Sequence, residues 1–182
     1  MSTITQQQVG LQVDAPTGTL HADVVHSSLG FEVRYMGIAL FKGVVKDFGA
    51  SLVDGKLGGA ARIASLEAKD ENLQAHLLSP EFFDAERHPE IAFTGELVRV
   101  GNGVEVDGQI TIKGVTKPVI LRGTLTGPVT DPYGNARYGL ELETTIDRTE
   151  FGLDWNADMP DGTKALANNV TLRAELSLVA AA

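Results

Sequence analysis

The stretch Val104-Glu-Val-Asp-Gly-Gln-Ile-Thr-Ile112 decides the fold class. Val104, Val106, Ile110 and Ile112, with Gly108 among them, alternate with Glu105, Asp107, Gln109 and Thr111. Successive side chains of a strand point to opposite faces. A period of two therefore sets an apolar face against a core and a polar face in solvent. Gly101-Asn102-Gly103 ahead of it and Gly114 to Lys117 behind it supply turns. The segment reads as a half-buried strand of an antiparallel sheet.

The same pattern recurs outward in both directions. Toward the N-terminus, Leu20, Ala22 and Val24 alternate, and after His26-Ser27 so do Leu29, Phe31 and Val33. Tyr35 to Leu40 reads as a turn or helical corner, and Phe41 to Val53 as a long strand that bends at Gly43 or Gly49. Asp54-Gly55 is a hairpin signal, and Gly59 to Leu66 returns from it. Ile91 to Val100 precedes the Gly101 turn. Toward the C-terminus come Pro118 to Pro128, Arg137 to Asp147 and Val170 to Leu178, each alternating. The total is about eight strands joined by short turns. Strands do not alternate with helices, which argues against a doubly wound parallel sheet. Closing the sheet removes its exposed edges. The expectation is an all-β, extended, eight-stranded antiparallel up-and-down barrel, lipocalin-like, with short helical excursions.

Two stretches break the pattern. In His76-Leu-Leu-Ser-Pro-Glu-Phe-Phe-Asp-Ala-Glu-Arg-His-Pro-Glu-Ile-Ala-Phe93, Pro80 and Pro89 interrupt the chain. Ser79 as a cap with Pro80 behind it predicts a short helical turn that buries Phe82 and Phe83 as a lid on the sheet's end. Glu67 to His76 reads as a polar loop or short helix leading into it. Arg148 to Asn168 is the second irregular stretch and holds Phe151, Trp155, Met159 and Pro160.

A chain of 182 residues suits one domain. The expected division is a polar tail over 1–18 and a single domain over 19–182. Within the tail, Val9, Leu11 and Val13 alternate as a candidate edge strand. Cysteine is absent, so no disulfide forms. The net charge is −9 and no basic stripe is present, which argues against a nucleic-acid partner. No run approaches the ~20 apolar residues of a membrane helix. The start carries no secretory signal pattern. The expectation is a cytoplasmic protein if Met1 is the native start, and a periplasmic or secreted one if it is not.

Four segments together resemble the YceI-like family. They are Asp23-Val-Val-His-Ser-Ser-Leu-Gly-Phe31; His76 to Asp84 with His88-Pro-Glu-Ile-Ala-Phe93; Gly108-Gln-Ile-Thr-Ile-Lys-Gly-Val-Thr-Lys-Pro-Val119; and Asp147-Arg-Thr-Glu-Phe-Gly-Leu153. The resemblance runs from Gly18 to about Leu178. Two stretches depart from the family's usual pattern: Arg34-Tyr35-Met36-Gly37, and Leu73-Gln74-Ala75 ahead of His76-Leu77. The resemblance implies a lipocalin-like barrel that holds a long isoprenoid, a polyprenyl or quinone tail, in its interior. It also implies members that are often periplasmic and often dimeric, so a homodimer is expected.

A prenyl tail presents only apolar surface, and a tunnel lined from alternate strand positions suits it. The expected lining is Leu29, Phe31, Val33, Phe48, Ile63, Phe93, Ile110, Ile112, Leu121, Leu140, Ile146 and Leu172. Phe82 and Phe83 join it as plugs or gates, and Trp155 as a rim residue whose indole N–H needs a partner. The same side chains, interlocked, would fill a closed core instead. His26 and His76, if they meet at one mouth, and Arg148 are the candidate head-group contacts, although Asp147 and Arg148 are also expected to satisfy each other as an ion pair. His21, His26, His76 and His88 lack metal-ligand spacing. Asp23, His26 and Ser27 are triad residue types, but adjacency is not triad geometry. The reading is a non-catalytic isoprenoid carrier with no cofactor. The alternatives are an enzyme of lipid or stress metabolism and a structural dimerising module with a filled barrel.

Overall fold

The computed structural model describes residues 15–181. The candidate edge strand at Val9 to Val13 lies outside them. The strands are β1 (Thr19–Ala22), β2 (Ser28–Tyr35), β3 (Ala39–Val45), β4 (Phe48–Val53), β5 (Lys56–Arg62) and β6 (Leu66–Glu67). A helix, α1 (Glu71–Leu78), follows. Then come β7 (Glu90–Val100), β8 (Gly103–Ile112), β9 (Val115–Thr130), β10 (Ala136–Asp147) and β11 (Leu166–Ala180). All pairings between them are antiparallel.

The sheet closes because β11 pairs with both β10 and β1. Around the ring run β1, β4, β5, β7, β8, β9, β10 and β11, an eight-stranded barrel. The other three strands extend its staves. β1 and β2 are two lengths of one stave, and both lie along β11. The break between them is a 3-10 turn, Val24–His26, capped by the Asp23 carboxylate, which accepts from the Val25 N–H. β3 and β4 form a second broken stave, and β5 and β6 a third, split by the turn Ile63–Ser65. The Asp54-Gly55 hairpin forms as the sequence predicts, with φ of 48° and 84° as a type I′ turn requires.

The short helix that was one reading of Glu67 to His76 forms as α1, and the helical turn expected after Ser79 does not form. Ser79 does not start a helix but caps the end of one, its N–H bonding the His76 carbonyl. The N-cap is Asp70, whose carboxylate accepts from the Leu73 N–H at 2.9 Å. The Ser79-to-Asp84 segment instead folds back in tight turns, with Phe82 N–H and Asp84 N–H both bonding the Ser79 carbonyl. Phe82 is buried and Phe83 half-buried, so the lid exists without being helical.

The barrel is packed solid at one end. Leu20, Leu52, Leu140, Leu178 and Val106 are buried almost completely there. Their registers interlock: Leu20 lies opposite Leu52, and Leu140 opposite both Leu125 and Leu176. Outside this end, Arg137 bonds Asp23 and Asp131, each at 2.8 Å, and His26 bonds Asp23 at 2.8 Å. Toward the other end the pairing lapses twice. The β9–β10 ladder stops at Arg122 and Glu143, and β6 pairs with β3 but not with β7. The segments 68–89 and 148–165 spring from these two seams. Lys113, at the tip of the β8–β9 hairpin, ties them together by donating to the Pro80 carbonyl at 3.0 Å and the Gly152 carbonyl at 3.2 Å.

Two outcomes follow. A Cβ on inward-facing Gly108 would stand 2.1 Å from the Thr94 carbonyl oxygen. Gly108→Ala is expected to cost about 3 kcal/mol or more by denaturant unfolding, since backbone cannot yield as a side-chain tip does. The Asp23 carboxyl is held down from 3.8 to about 2, chiefly by Arg137 and then by His26. A folded-state pKa below the unfolded one stabilises above the unfolded value, and that contribution is lost as pH falls through the folded one. Thermal melts should therefore fall as pH drops from about 3.8 to about 2, and less steeply in Arg137→Met.

Candidate functional site

Where the ladder lapses, the interior is hollow. A cavity of about 540 Å³ lies under the two irregular segments, within the ~300–1,000 Å³ range of small-molecule sites. Its walls come from β2, β3, β6, β7, β8, β10 and β11, α1, the Phe82-Phe83 turn and the stretch from Arg148 to Trp155. Tyr35 and Leu40, both exposed, line it at the β2–β3 hairpin, where it meets solvent. Among its lining residues only Tyr35, His76, Arg148 and Trp155 carry polar side-chain atoms. A second, smaller cavity of about 170 Å³ adjoins the first and shares Phe31, Val45, Ile91, Ile112 and Leu172 with it.

The sequence-predicted lining divides three ways. Val33, Phe82, Phe83, Ile146 and Trp155 line the large cavity. Leu29, Phe93, Ile110 and Leu121 line the small one. Phe31, Ile112 and Leu172 line both. Phe48, Ile63 and Leu140 line neither and are corrected to core positions. Leu140 is sealed in the packed end, Ile63 is buried in its 3-10 turn, and Phe48 packs at the start of β4. His26 is a correction too. It is exposed, bonded to Asp23 beside Arg137, and it does not meet His76.

His76 and Arg148 both reach the large cavity. His76 stands in the last turn of α1 and bonds the Glu81 carboxylate at 2.7 Å. Its ring meets Phe82 edge-on at 4.9 Å and Trp155 edge-on at 4.7 Å, and Phe82 and Trp155 lie 5.4 Å apart. Three rings thus roof the cavity, with His76 meeting the other two in the edge-to-face geometry that aromatic quadrupoles favour and Phe82 tilted 42° to Trp155.

Arg148 does not pair with Asp147. The Asp147 carboxylate caps the following turn instead, accepting from the N–H and hydroxyl of Thr149. Arg148 is 4% exposed, and its guanidinium donates to the carbonyls of Leu153, Trp155, Leu166 and Ala167. Desolvation pushes its pKa below the usual guanidinium value, while Asp147 and Asp154 oppose the shift from a distance. Its five donors in a fixed fork can serve several carbonyls at once, so it shapes the loop rather than offering a free charge.

Sequence reasoning missed several cavity walls. Phe41 and Val45 sit on the inward face of β3, a face the Phe41, Gly43, Val45 alternation could have shown. Leu73 and Leu77 share one face of α1 with His76 at helical spacing, a signal that the reading of Glu67 to His76 as a loop or short helix leaves unused.

Arg148→Met should lower stability by about 3 kcal/mol, because it strands buried carbonyls. Arg148→Lys should not restore it, since an ammonium lacks the fork. Denaturant unfolding followed by the emission of Trp155, the only tryptophan, reads both the loss and the loosening of the roof.

The architecture has known counterparts. Residues 20–178 match the YceI-like domain. A UPF0312 protein of Photorhabdus laumondii is 34% identical over 142 residues, which cover 74% of this chain and 73% of that protein. Protein YceI of Escherichia coli O157:H7 is 30% identical over 136 residues, 70% of this chain and 71% of that one. Burkholderia cenocepacia BcnA superposes with a TM-score of 0.69 at 18% identity, covering 86% of this chain and 98% of that one. A polyisoprenoid binding domain from Saccharophagus degradans, implicated in plant cell wall breakdown, superposes at 0.67 with 12% identity over 89% and 98%. These two likenesses are of fold. Matched across most of its length and sharing a third of its residues with a relative in the aligned region, the chain belongs to the YceI-like family.

Proposed function

We propose that this protein is a non-catalytic carrier of an amphiphile with a long isoprenoid tail, such as a polyprenyl or quinone chain. The observation that carries the reading is the 540 Å³ cavity, walled almost wholly by apolar side chains and open beside Tyr35 and Leu40. The binding named for the Saccharophagus degradans domain supports the same ligand class. Each buried methylene contributes roughly 0.8 kcal/mol, so one isoprene unit contributes on the order of 3 kcal/mol before the cost of ordering a flexible chain. A few units give micromolar binding without any polar contact.

The polar groups at the wall favour binding over turnover. Arg148 spends its donors on carbonyls, and no carboxylate, hydroxyl of Ser or Thr, or lysine accompanies His76 among the cavity's lining residues. An acid–base mechanism needs groups free to exchange a proton with substrate. The tail is placed inside and any head group at the mouth, where Tyr35 stands exposed.

An organic extract of natively purified protein, read by mass spectrometry, is expected to contain a prenyl lipid. Stripped protein is expected to gain about 5–10 °C in melting temperature at saturating ubiquinone or polyprenol, which corresponds to ~2.7 kcal/mol at a hundredfold excess over Kd. Empty extracts together with an unmoved melt would end the carrier reading.

A further inference from the structure

The β2–β3 hairpin ends in a turn whose chemistry runs against its position. Residues 34–40, Arg-Tyr-Met-Gly-Ile-Ala-Leu, are all exposed. Ile38 is 80% exposed, and Tyr35, Met36 and Leu40 are 44%, 40% and 40% exposed. Met36 and Gly37 take φ of 53° and 70°, and the Ile38 N–H bonds the Tyr35 carbonyl. Positive φ at the first of these favours Asn, Asp or Gly over a long apolar side chain. The chain also pairs a residue at positive φ with a following glycine at Asp54-Gly55 and Lys113-Gly114, each time with a polar residue first. Met36 is both strained and wetted, beside an exposed Ile38. Such a cluster points to a contact outside the chain.

The turn stands on the rim of the large cavity. Tyr35, Ala39 and Leu40 line that cavity from the arms of the hairpin, whereas Met36 and Ile38 do not. The Met36 N–H bonds the Ala165 carbonyl at 2.6 Å, which moors the tip to the segment covering the barrel. Polarity is graded away from the tip. Behind Met36 and Ile38 comes Tyr35, and behind it Arg34, the register partner of Leu40. Arg34 enters no ion pair among the described residues. Farther back, Glu32 and Lys42 pair with each other at 3.2 Å. An apolar tip, then an aromatic ring, then a cation is the order in which side chains meet acyl chains, interface and phosphates.

We propose that this hairpin tip docks on a lipid bilayer, with Met36 and Ile38 entering the acyl boundary and Arg34 meeting lipid phosphate. The tail then passes between membrane and cavity beside Tyr35 and Leu40 without crossing water. The inference rests on the carrier reading and adds to it the source of the ligand. At on the order of 3 kcal/mol per isoprene unit, a tail of several units pays heavily to leave a bilayer through water. Contact between mouth and membrane removes that step. A second copy or another protein fits worse. It would stand over the mouth, and the four side chains Tyr35, Met36, Ile38 and Leu40 fall far short of the roughly 20 residues a side of a stable protein interface. With a net charge of −9, the contact is apolar insertion and not a general attraction to anionic lipid.

The test is co-sedimentation with phosphatidylcholine vesicles, plain or carrying ubiquinone. Wild type is expected to bind both. Met36→Asn combined with Ile38→Ser should lower the bound fraction roughly tenfold. Neither residue lines the cavity and Asn suits the turn, so farnesol supplied from solution should bind the variant as it binds wild type, while ubiquinone transfer out of vesicles slows. Ile38→Ser alone, away from the strained position, serves if the double variant melts early. Arg34→Gln should weaken vesicle binding about threefold. Wild type that stays in the supernatant overturns the docking, as does a folded variant that sediments like wild type. Self-association that the double variant abolishes, with vesicle binding unmoved, assigns the tip to a second copy and overturns it as well. In all three results farnesol binding keeps the carrier reading. Wild type that binds neither farnesol nor ubiquinone removes the carrier reading, and with it the case for docking, whatever the vesicles show.

Discussion

The hollow end of this barrel depends on one buried guanidinium. Arg148 leaves β10 where its pairing with β9 has already stopped, and it turns inward under the chain that follows. Taking such a group out of water costs several kcal/mol unless its donors are met. Here backbone carbonyls from both sides of the 148–168 segment meet them. The loop has too little regular structure to satisfy those carbonyls itself. Charge and carbonyls therefore solve each other's problem, and the loop becomes a fixed wall. Trp155 is placed by that bargain, and through Trp155 so are His76, Phe82 and the end of α1.

An eight-stranded barrel is just wide enough either to fill or to hold a guest. This chain does both, in different halves. In the packed half, leucines and valines from neighbouring staves meet at the same level and exclude solvent. In the other half the staves splay at two seams, and segments 68–89 and 148–165 cover the interior from above instead of filling it. Space survives there because the cover spans the gap from rim to rim. A filled structural module would need side chains reaching inward at this level, and the residues present do not meet across it.

Much of this was legible in the chain. Alternation at Val104 to Ile112, Tyr138 to Ile146 and Val170 to Leu178 gave the inward faces correctly, and Asp54-Gly55 marked a real hairpin. What alternation cannot give is depth. Leu140 and Ile146 share a face of β10, yet one is sealed in the packed end and the other borders the cavity. Ser79 with Pro80 suggests a helical turn that does not form, while the loop-or-short-helix reading of Glu67 to His76 leaves α1 undecided. The better signal was Asp70, a strong cap followed by Leu73 and Leu77 at helical spacing. The role of Arg148 was beyond reach, since its acceptors belong to a loop whose path no local pattern specifies.

The grip of Lys113 on both covering segments has a mechanical consequence. One ammonium, at the tip of a hairpin that belongs to neither, holds the Phe82-Phe83 turn through Pro80 and the Trp155 loop through Gly152. The two halves of the roof thus share a polar tie beside the ring contacts of Trp155 with His76 and Phe82. Moving either half away from the β8–β9 tip breaks a hydrogen bond to the same ammonium, so Lys113 couples the two covering segments.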